Sequence, residues 1–321
     1  MLAPQHLEQN TMQRRSLLKG AVSIAAGAGL FGSTRLHSSQ SQANERRSPP
    51  VAQPFVRTRD GQSLFVKDWG EGPPIVFLAA WALPSDMWAY QMVPLCEEGV
   101  RCVAYDRRGH GRSSDAGRGY DYGTLADDLA AVLDALDLRR VTLVGMSMAS
   151  GEMVRYLTRH GSSRIARLVF VAPSATPFPT RTPDNPQGIP AERFTSWRSV
   201  LLRDYPRWLE ENRQAFFTSE TSPQMQEWIR MLMLGNSMKA IIDCSHSMTS
   251  TDFRAELPRI RIPSLIIHGT SDASAPIDLT GRPTAGLIPS AELKVYEGAP
   301  HGLFVTHMTR LTSDLLAFAK S

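Results

Sequence analysis

The stretch that most constrains this chain is Val141-Thr-Leu-Val-Gly-Met-Ser-Met-Ala-Ser-Gly-Glu152. Val141 to Val144 are apolar or β-branched and read as a buried strand. Gly145-Met-Ser-Met-Ala149 then turns sharply. From Ser150 to His160 the spacing is helical, with Met153, Val154 and Leu157 on one side and Arg155 and Arg159 on another. Strand, tight turn with a serine at its tip, helix: this layout lifts a serine oxygen out of a sheet and aims a helix N-terminus at it. The positive end of the helix dipole then favours negative charge developing there. The expected pattern is Gly-x-Ser-x-Gly, and Ala149 stands at its last position. A small residue is required there because strand and helix pack closely at the turn.

The rest of the chain supplies a matching frame. Phe55–Arg59 and Ser63–Trp69 read as strands around the Asp60-Gly61 turn. Pro74–Ala79, Val100–Tyr105, Arg167–Ala172 and Ile262–His268 are short apolar runs, the mark of strands buried on both faces. Helices are expected over Leu83–Val93, over Tyr122–Leu136 with Thr124 as candidate cap, and over Asp278–Ile288 and Leu303–Lys320. Ala291–Tyr296 reads as an edge strand. Strands alternating with helices imply an α/β fold with a mostly parallel, twisted sheet wrapped on both faces. After Pro173 the texture changes: six prolines crowd 173–190, and from Ala191 to about Phe253 helical segments rich in tryptophan, phenylalanine and methionine follow. Residues 174–255 read as an inserted helical lid on a core made of 54–173 and 256–321.

A serine hydroxyl needs a base in reach and an orienting carboxylate behind it. On such a sheet the partners follow later strands, in the order serine, acid, histidine. Asp272, in His268-Gly-Thr-Ser-Asp272, lies at the carboxyl end of one strand and is the candidate acid, with Asp278 as rival inside the next helix. His301, in Gly298-Ala-Pro-His-Gly302, follows the last strand and is the candidate base. His110, His268 and His307 are weaker candidates: the first reads as structural, the second as a core histidine, the third as solvated. Two backbone N–H groups must meet the oxyanion. Met148 supplies one by position. Trp81, in the loop after Pro74–Ala79, supplies the other, its indole walling the pocket.

The 321 residues carry a formal net charge of +4. Residues 1–43 hold Arg14, Arg15, Lys19 and Arg35 against Glu8, which is +3 of that total and leaves +1 for the remainder. No basic patch for nucleic acid survives this subtraction. Gln13-Arg-Arg-Ser-Leu-Leu-Lys19, the apolar run Gly20–Phe31 and the small residues of Ser41-Gln-Ala43 look like a twin-arginine export signal over 1–43, followed by a linker over 44–53. A transient encounter with the export machinery and a periplasmic or secreted location follow. The three cysteines, Cys96, Cys102 and Cys244, show no metal-like spacing, and Cys96 and Cys102 are candidates to pair after export. No metal or cofactor motif is present.

Asp106-Arg-Arg-Gly-His-Gly-Arg-Ser-Ser114, Gly145–Glu152, Asp184–Pro190, Thr280-Gly-Arg282 and Tyr296–Gly302 together resemble the α/β-hydrolase family of cofactor-free haloperoxidases and arylesterases, from about Phe55 to Ala319. The resemblance implies Ser147, Asp272 and His301 as triad, with Trp81 and Met148 at the oxyanion hole and no haem or metal. Family members make a peracid from an acyl donor and hydrogen peroxide, or hydrolyse esters. The chain departs from the family at Ala79-Ala80, usually His-Gly; at Ala149, usually glycine; and at Ala82, where perhydrolytic members often carry proline. Ala82 leaves its loop unconstrained, and a proline there is expected to favour peroxide over water.

Three functions fit these residues. An exported serine hydrolase, cleaving small or aryl esters or lactones through an acyl-enzyme on Ser147, fits best. A perhydrolase differs only in preferring peroxide. A ligand-binding protein with a weakened hydrolase site draws on the Ala79-Ala80 and Ala149 departures. Ser147 at the turn excludes the aspartate-dependent dehalogenases and epoxide hydrolases of the same fold.

Overall fold

A computed structural model describes residues 54–321; the candidate export signal and the whole of the linker lie outside them. Eight strands form one sheet in the order β1-β2-β4-β3-β5-β6-β7-β8. They are β1 (Phe55–Arg57), β2 (Ser63–Trp69), β3 (Pro74–Leu78), β4 (Arg101–Tyr105), β5 (Val141–Met146), β6 (Ile165–Val171), β7 (Ser264–Gly269) and β8 (Ala291–Tyr296). β1 and β2 form an antiparallel hairpin, β2 meets β4 antiparallel, and every other pairing is parallel. β5 and β7 are buried along their whole length, so both faces of the sheet are covered there.

Nine helices are described: α1 (Ala89–Glu97), α2 (Tyr122–Ala135), α3 (Ala149–His160), α4 (Ala191–Glu211), α5 (Pro223–Leu234), α6 (Met238–Ser250), α7 (Gly281–Leu287), α8 (Leu303–Thr306) and α9 (Met308–Lys320). α2 packs on α3, and α1 packs on α9. α4, α5 and α6 all fall between β6 and β7. Among the described residues no helix is long and apolar enough to cross a membrane.

Several boundaries differ from the sequence expectation, each for a local reason. Pro84 is extended, so Ser85–Trp88 forms a 3-10 turn and α1 begins at Ala89. The cap of α2 is Asp121, whose carboxylate accepts the Thr124 N–H at 3.0 Å; Thr124 lies one turn inside. α7 starts at Gly281, so Asp278 precedes the helix, exposed and paired with Arg282 at 2.9 Å. The last helix is broken at His307, whose φ of −127° is not helical. His307 is half-buried there, with Nδ1 beside the Thr306 hydroxyl at 2.8 Å. Cys96, Cys102 and Cys244 are all free thiols, so Cys96 and Cys102 are not bonded to each other.

Candidate active site

Parallel strands bring their carboxyl ends to one edge, and the site is assembled there. β3 ends into Ala79–Trp81, β5 into Ser147, β7 into the Asp272 loop and β8 into the His301 loop. At the tip of the β5 turn Ser147 adopts φ 57°, a left-handed conformation that costs a non-glycine residue energy and is found at functional turns. The surroundings hold it there. The Ser147 N–H donates to the Val171 carbonyl at 2.9 Å, and the Ser150 hydroxyl donates to the Ser147 carbonyl at 2.8 Å. Gly145 is needed for close approach, since a Cβ there would meet Met153 Cε at 2.9 Å and Ala149 Cβ at 3.2 Å. Ala149 therefore already fills the gap between strand and helix.

Ser147, His301 and Asp272 are brought together. The Ser147 Oγ lies 2.9 Å from His301 Nε2, and His301 Nδ1 lies 2.7 Å from Asp272 Oδ2. An ionised carboxylate only accepts, so Nδ1 carries the proton and Nε2 accepts from the serine hydroxyl. All three are buried, at 4% exposure for Ser147, 4% for Asp272 and 6% for His301. Burial alone would raise the Asp272 carboxyl. The charge of His301 and the N–H groups of His268 and His301 outweigh it and hold Asp272 well below the ordinary carboxylate range. Asp272 Oδ1 also accepts the Ala275 N–H at 2.7 Å. Asp278 is outside this constellation.

His268 is more than a core histidine. Its Nε2 lies 3.1 Å from Asp272 Oδ2 and 2.9 Å from the Ala275 carbonyl, both acceptors, so Nε2 carries the proton. Nδ1 is then a buried lone pair with no partner among the described residues, facing Gly281, where any Cβ would collide with the ring. His110 is fully buried, and among the described residues its ring bonds only to the Arg108 carbonyl, 3.0 Å from Nδ1. Burial, and next the charge of Arg107, push its pKa down to about 3, which keeps it neutral.

The backbone N–H groups of Trp81 and Met148 donate to no acceptor among the described residues. Both flanks of Met148 are fixed, because its carbonyl accepts the Tyr122 hydroxyl at 3.0 Å and the Gly151 N–H at 3.1 Å. The Trp81 loop differs from the sequence expectation. Ala82 has φ 59°, is fully buried, and its carbonyl accepts the Asn236 side-chain N–H at 2.7 Å. The Trp81 indole N–H donates to the Ile241 carbonyl at 2.8 Å. The loop is thus constrained, and a proline, with φ near −65°, cannot replace Ala82 without rebuilding it. Ala79 and Ala80 need no unusual angles. Their carbonyls accept from Arg107, at 2.6 and 3.3 Å, and Arg107 Nε bonds to Glu152 Oε1 at 2.8 Å. Arg107 and Glu152 are 2% and 1% exposed, an ion pair sealed between the loop and the helix that follows Ser147.

A cavity of ≈ 1220 Å³ is lined by Ser147, His301, Trp81 and Ser174. The inserted helices wall it with Trp197 and Trp208, whose rings lie 5.1 and 5.9 Å from that of Trp81. Trp228, by contrast, packs on Tyr90 outside the cavity. A second cavity of ≈ 280 Å³ shares Ser174, Phe194 and Met248 with the first. The segment after α4 also reaches the loop of His301, the candidate base, directly. The Gly302 N–H donates to the Phe216 carbonyl at 3.0 Å, and a Cβ at Gly302 would collide with that carbonyl. Sequence reasoning did not single out Ser174, whose hydroxyl lies 3.0 Å from Ser147 Oγ. It lies in the proline-rich stretch, where no period or motif marks it. Among the described residues no group of three His, Cys, Asp or Glu side chains is placed to hold a metal.

Comparison with known proteins agrees with this architecture. The family model for the α/β hydrolase fold matches residues 73–308. A non-heme chloroperoxidase of Kitasatospora aureofaciens is 37% identical over 272 residues, spanning 83% of this chain and 98% of that protein. A bifunctional esterase/perhydrolase of Acinetobacter calcoaceticus is 36% identical over 278 residues, spanning 83% and 99%. The structure of an esterase from Exiguobacterium antarcticum superposes with a TM-score of 0.80 at 32% identity, covering 83% of this chain and 99% of that one. With this match and the serine turn at the edge of a mostly parallel sheet, the chain belongs to the α/β-hydrolase family, beside its non-heme haloperoxidases and perhydrolases.

Proposed function

We propose that this hydrolase is a serine carboxylic-ester hydrolase acting on small or aryl esters through an acyl-enzyme on Ser147, and that it is exported. The observation that carries the chemistry is the unbroken chain from Ser147 Oγ through His301 to Asp272, at 2.9 and 2.7 Å. As Oγ attacks the carbonyl carbon, its proton moves to His301 Nε2, and buried Asp272 stays ionised to balance the imidazolium. The N–H groups of Trp81 and Met148, which donate to no acceptor among the described residues, receive the oxyanion. Nε2 returns the proton to the departing alkoxy oxygen. Water then attacks the acyl-enzyme, gives its proton to Nε2, and Oγ leaves with that proton. The tryptophan walls of the cavity support aryl groups among the substrates. The leader at 1–43 supports export.

A second reading is perhydrolysis, in which hydrogen peroxide replaces water at the acyl-enzyme. The name of the Acinetobacter calcoaceticus relative, an esterase and a perhydrolase at once, favours keeping it. One ester tested at fixed peroxide, with acid and peracid both measured, decides between them. For the ester reading itself, Ser147→Ala should lose on the order of 10⁴- to 10⁶-fold in kcat. A serine-directed phosphonate should label Ser147 alone. Label elsewhere, or an active Ser147→Ala, would sink the assignment.

A further inference from the structure

The triad leaves one hydroxyl on the nucleophile unaccounted for. Ser174 Oγ is 3.0 Å from Ser147 Oγ and 3.3 Å from Met248 Sδ, and the Ser174 N–H donates to the Ser147 carbonyl at 3.3 Å. The direction of the first bond follows from proton counting. His301 Nδ1–H is committed to Asp272, so Nε2 must accept, and the single proton of Ser147 goes to it. Ser174 is therefore the donor to Ser147 Oγ. Its other acceptor, a thioether sulfur, is weak.

We propose that Ser174 is a catalytic residue specific to the second half of the reaction, the release of the acyl group from Ser147. This rests on the ester-hydrolysis reading above. The reason is a change in the basicity of Ser147 Oγ along the path. In the free enzyme Oγ is an alcohol oxygen and a good acceptor. In the acyl-enzyme it is an ester oxygen, its lone pair delocalised into the carbonyl, and it accepts poorly. The Ser174 proton then has Met248 Sδ to turn to. When water or another oxygen nucleophile attacks, the new oxygen–carbon bond forms and the nucleophile's proton passes to His301 Nε2. Delocalisation is lost in the tetrahedral intermediate, and Oγ becomes a good acceptor again. The carbon–Oγ bond then breaks, and Oγ takes the proton from Nε2 with the Ser174 hydroxyl donating to it. The bond from Ser174 is stronger in this transition state than in the acyl-enzyme, so it accelerates deacylation. Acylation starts from an Oγ that already accepts well, so it gains little.

The two halves separate in the kinetics of an activated aryl acetate that shows a burst. Ser174→Ala should slow the steady phase roughly 2- to 13-fold, the worth of one neutral hydrogen bond. The burst rate should be retained. Because deacylation limits such a substrate, kcat and KM should fall together and kcat/KM should stay constant. Ser174→Cys keeps the volume and offers only a weak S–H donor; it should show the same split and serves where the alanine variant folds poorly. A fall in kcat/KM at constant KM, or an unchanged kcat, overturns the proposal while leaving the ester hydrolase intact. Activity that survives in Ser147→Ala overturns the ester hydrolase reading instead.

Discussion

Arg107→Met tests how the Trp81 loop is held. The guanidinium is buried between Glu152, one turn into α3, and the carbonyls of Ala79 and Ala80. Removing it strands the Glu152 carboxylate in a site where burial already pushes its pKa up against the pull of Arg107. Breaking one side of such a pair costs about 3–5 kcal/mol. The Ala79 carbonyl, left without a donor, adds about 1–3 kcal/mol, less where water enters, while the Ala80 carbonyl keeps the Leu83 N–H at 3.3 Å. Arg107→Met with Glu152→Leu removes the stranded charge and should return several of those kcal/mol. It should not return full activity, because the Arg107 anchor on the Ala79 and Ala80 carbonyls is then gone. A shift of about 1 Å in a positioning element costs on the order of 10²-fold. Urea denaturation of the single and double variants, with kcat/KM for an aryl acetate on each, separates the two effects. A double variant that regains both stability and full activity would show that Arg107 serves only as a counter-charge, and the loop-anchoring role would be refuted.

Three further outcomes are expected. Ala82→Pro should depress hydrolysis and perhydrolysis together, since φ 59° is closed to proline; a selective rise in peracid would contradict this. His110, neutral in the fold with its pKa pushed down to about 3, refuses a proton that the unfolded chain accepts near pH 6.5. Stability should therefore fall as pH drops from about 6.5 toward 3, by up to about 1.4 kcal/mol per unit. His110→Gln should flatten that slope in denaturation series run across pH 4–6, and an unchanged slope would place the proton elsewhere. Arg14→Lys with Arg15→Lys should trap uncleaved precursor in the cytoplasm, because the pair is read by a receptor and not by charge alone; normal export of that variant would point to another route.

What the sequence made legible was local or ordered along the chain. The turn at Ser147 announces itself because an apolar and β-branched run, a serine two residues from both Gly145 and Ala149, and the start of a helical period meet within twelve residues. Asp272 and His301 follow from strand order, since each must sit just past a strand. What stayed hidden depends on distance or on competing local choices. Asp121 and Thr124 are both good caps, and only the backbone decides which one faces the orphan N–H groups. Ala82 carries no glycine signal, so its left-handed angle is imposed by partners, among them Asn236 and Ile241, far along the chain. The second histidine on Asp272 looked like core because strand position predicts burial but not which oxygen a ring nitrogen meets. The Asp278 boundary failed because α7 begins only at Gly281, past Pro276 and an isolated turn.

The bond from Gly302 to the Phe216 carbonyl bears on how this enzyme can diverge or be rebuilt. The segment between β6 and β7 furnishes most of the wall a substrate meets, which makes it the natural cassette to exchange for a new specificity. Yet His301, the proposed base, rests on that same segment through the main chain, its own N–H also directed at the Ala215 carbonyl, 3.4 Å away. Main-chain bonds ignore side-chain identity, so point changes at Trp197, Trp208 or Met233 leave the base in place. Changes in length near 212–217 do not. Chimeras cut on either side of that short stretch should inherit new walls with a working base, whereas those cut through it should lose both at once.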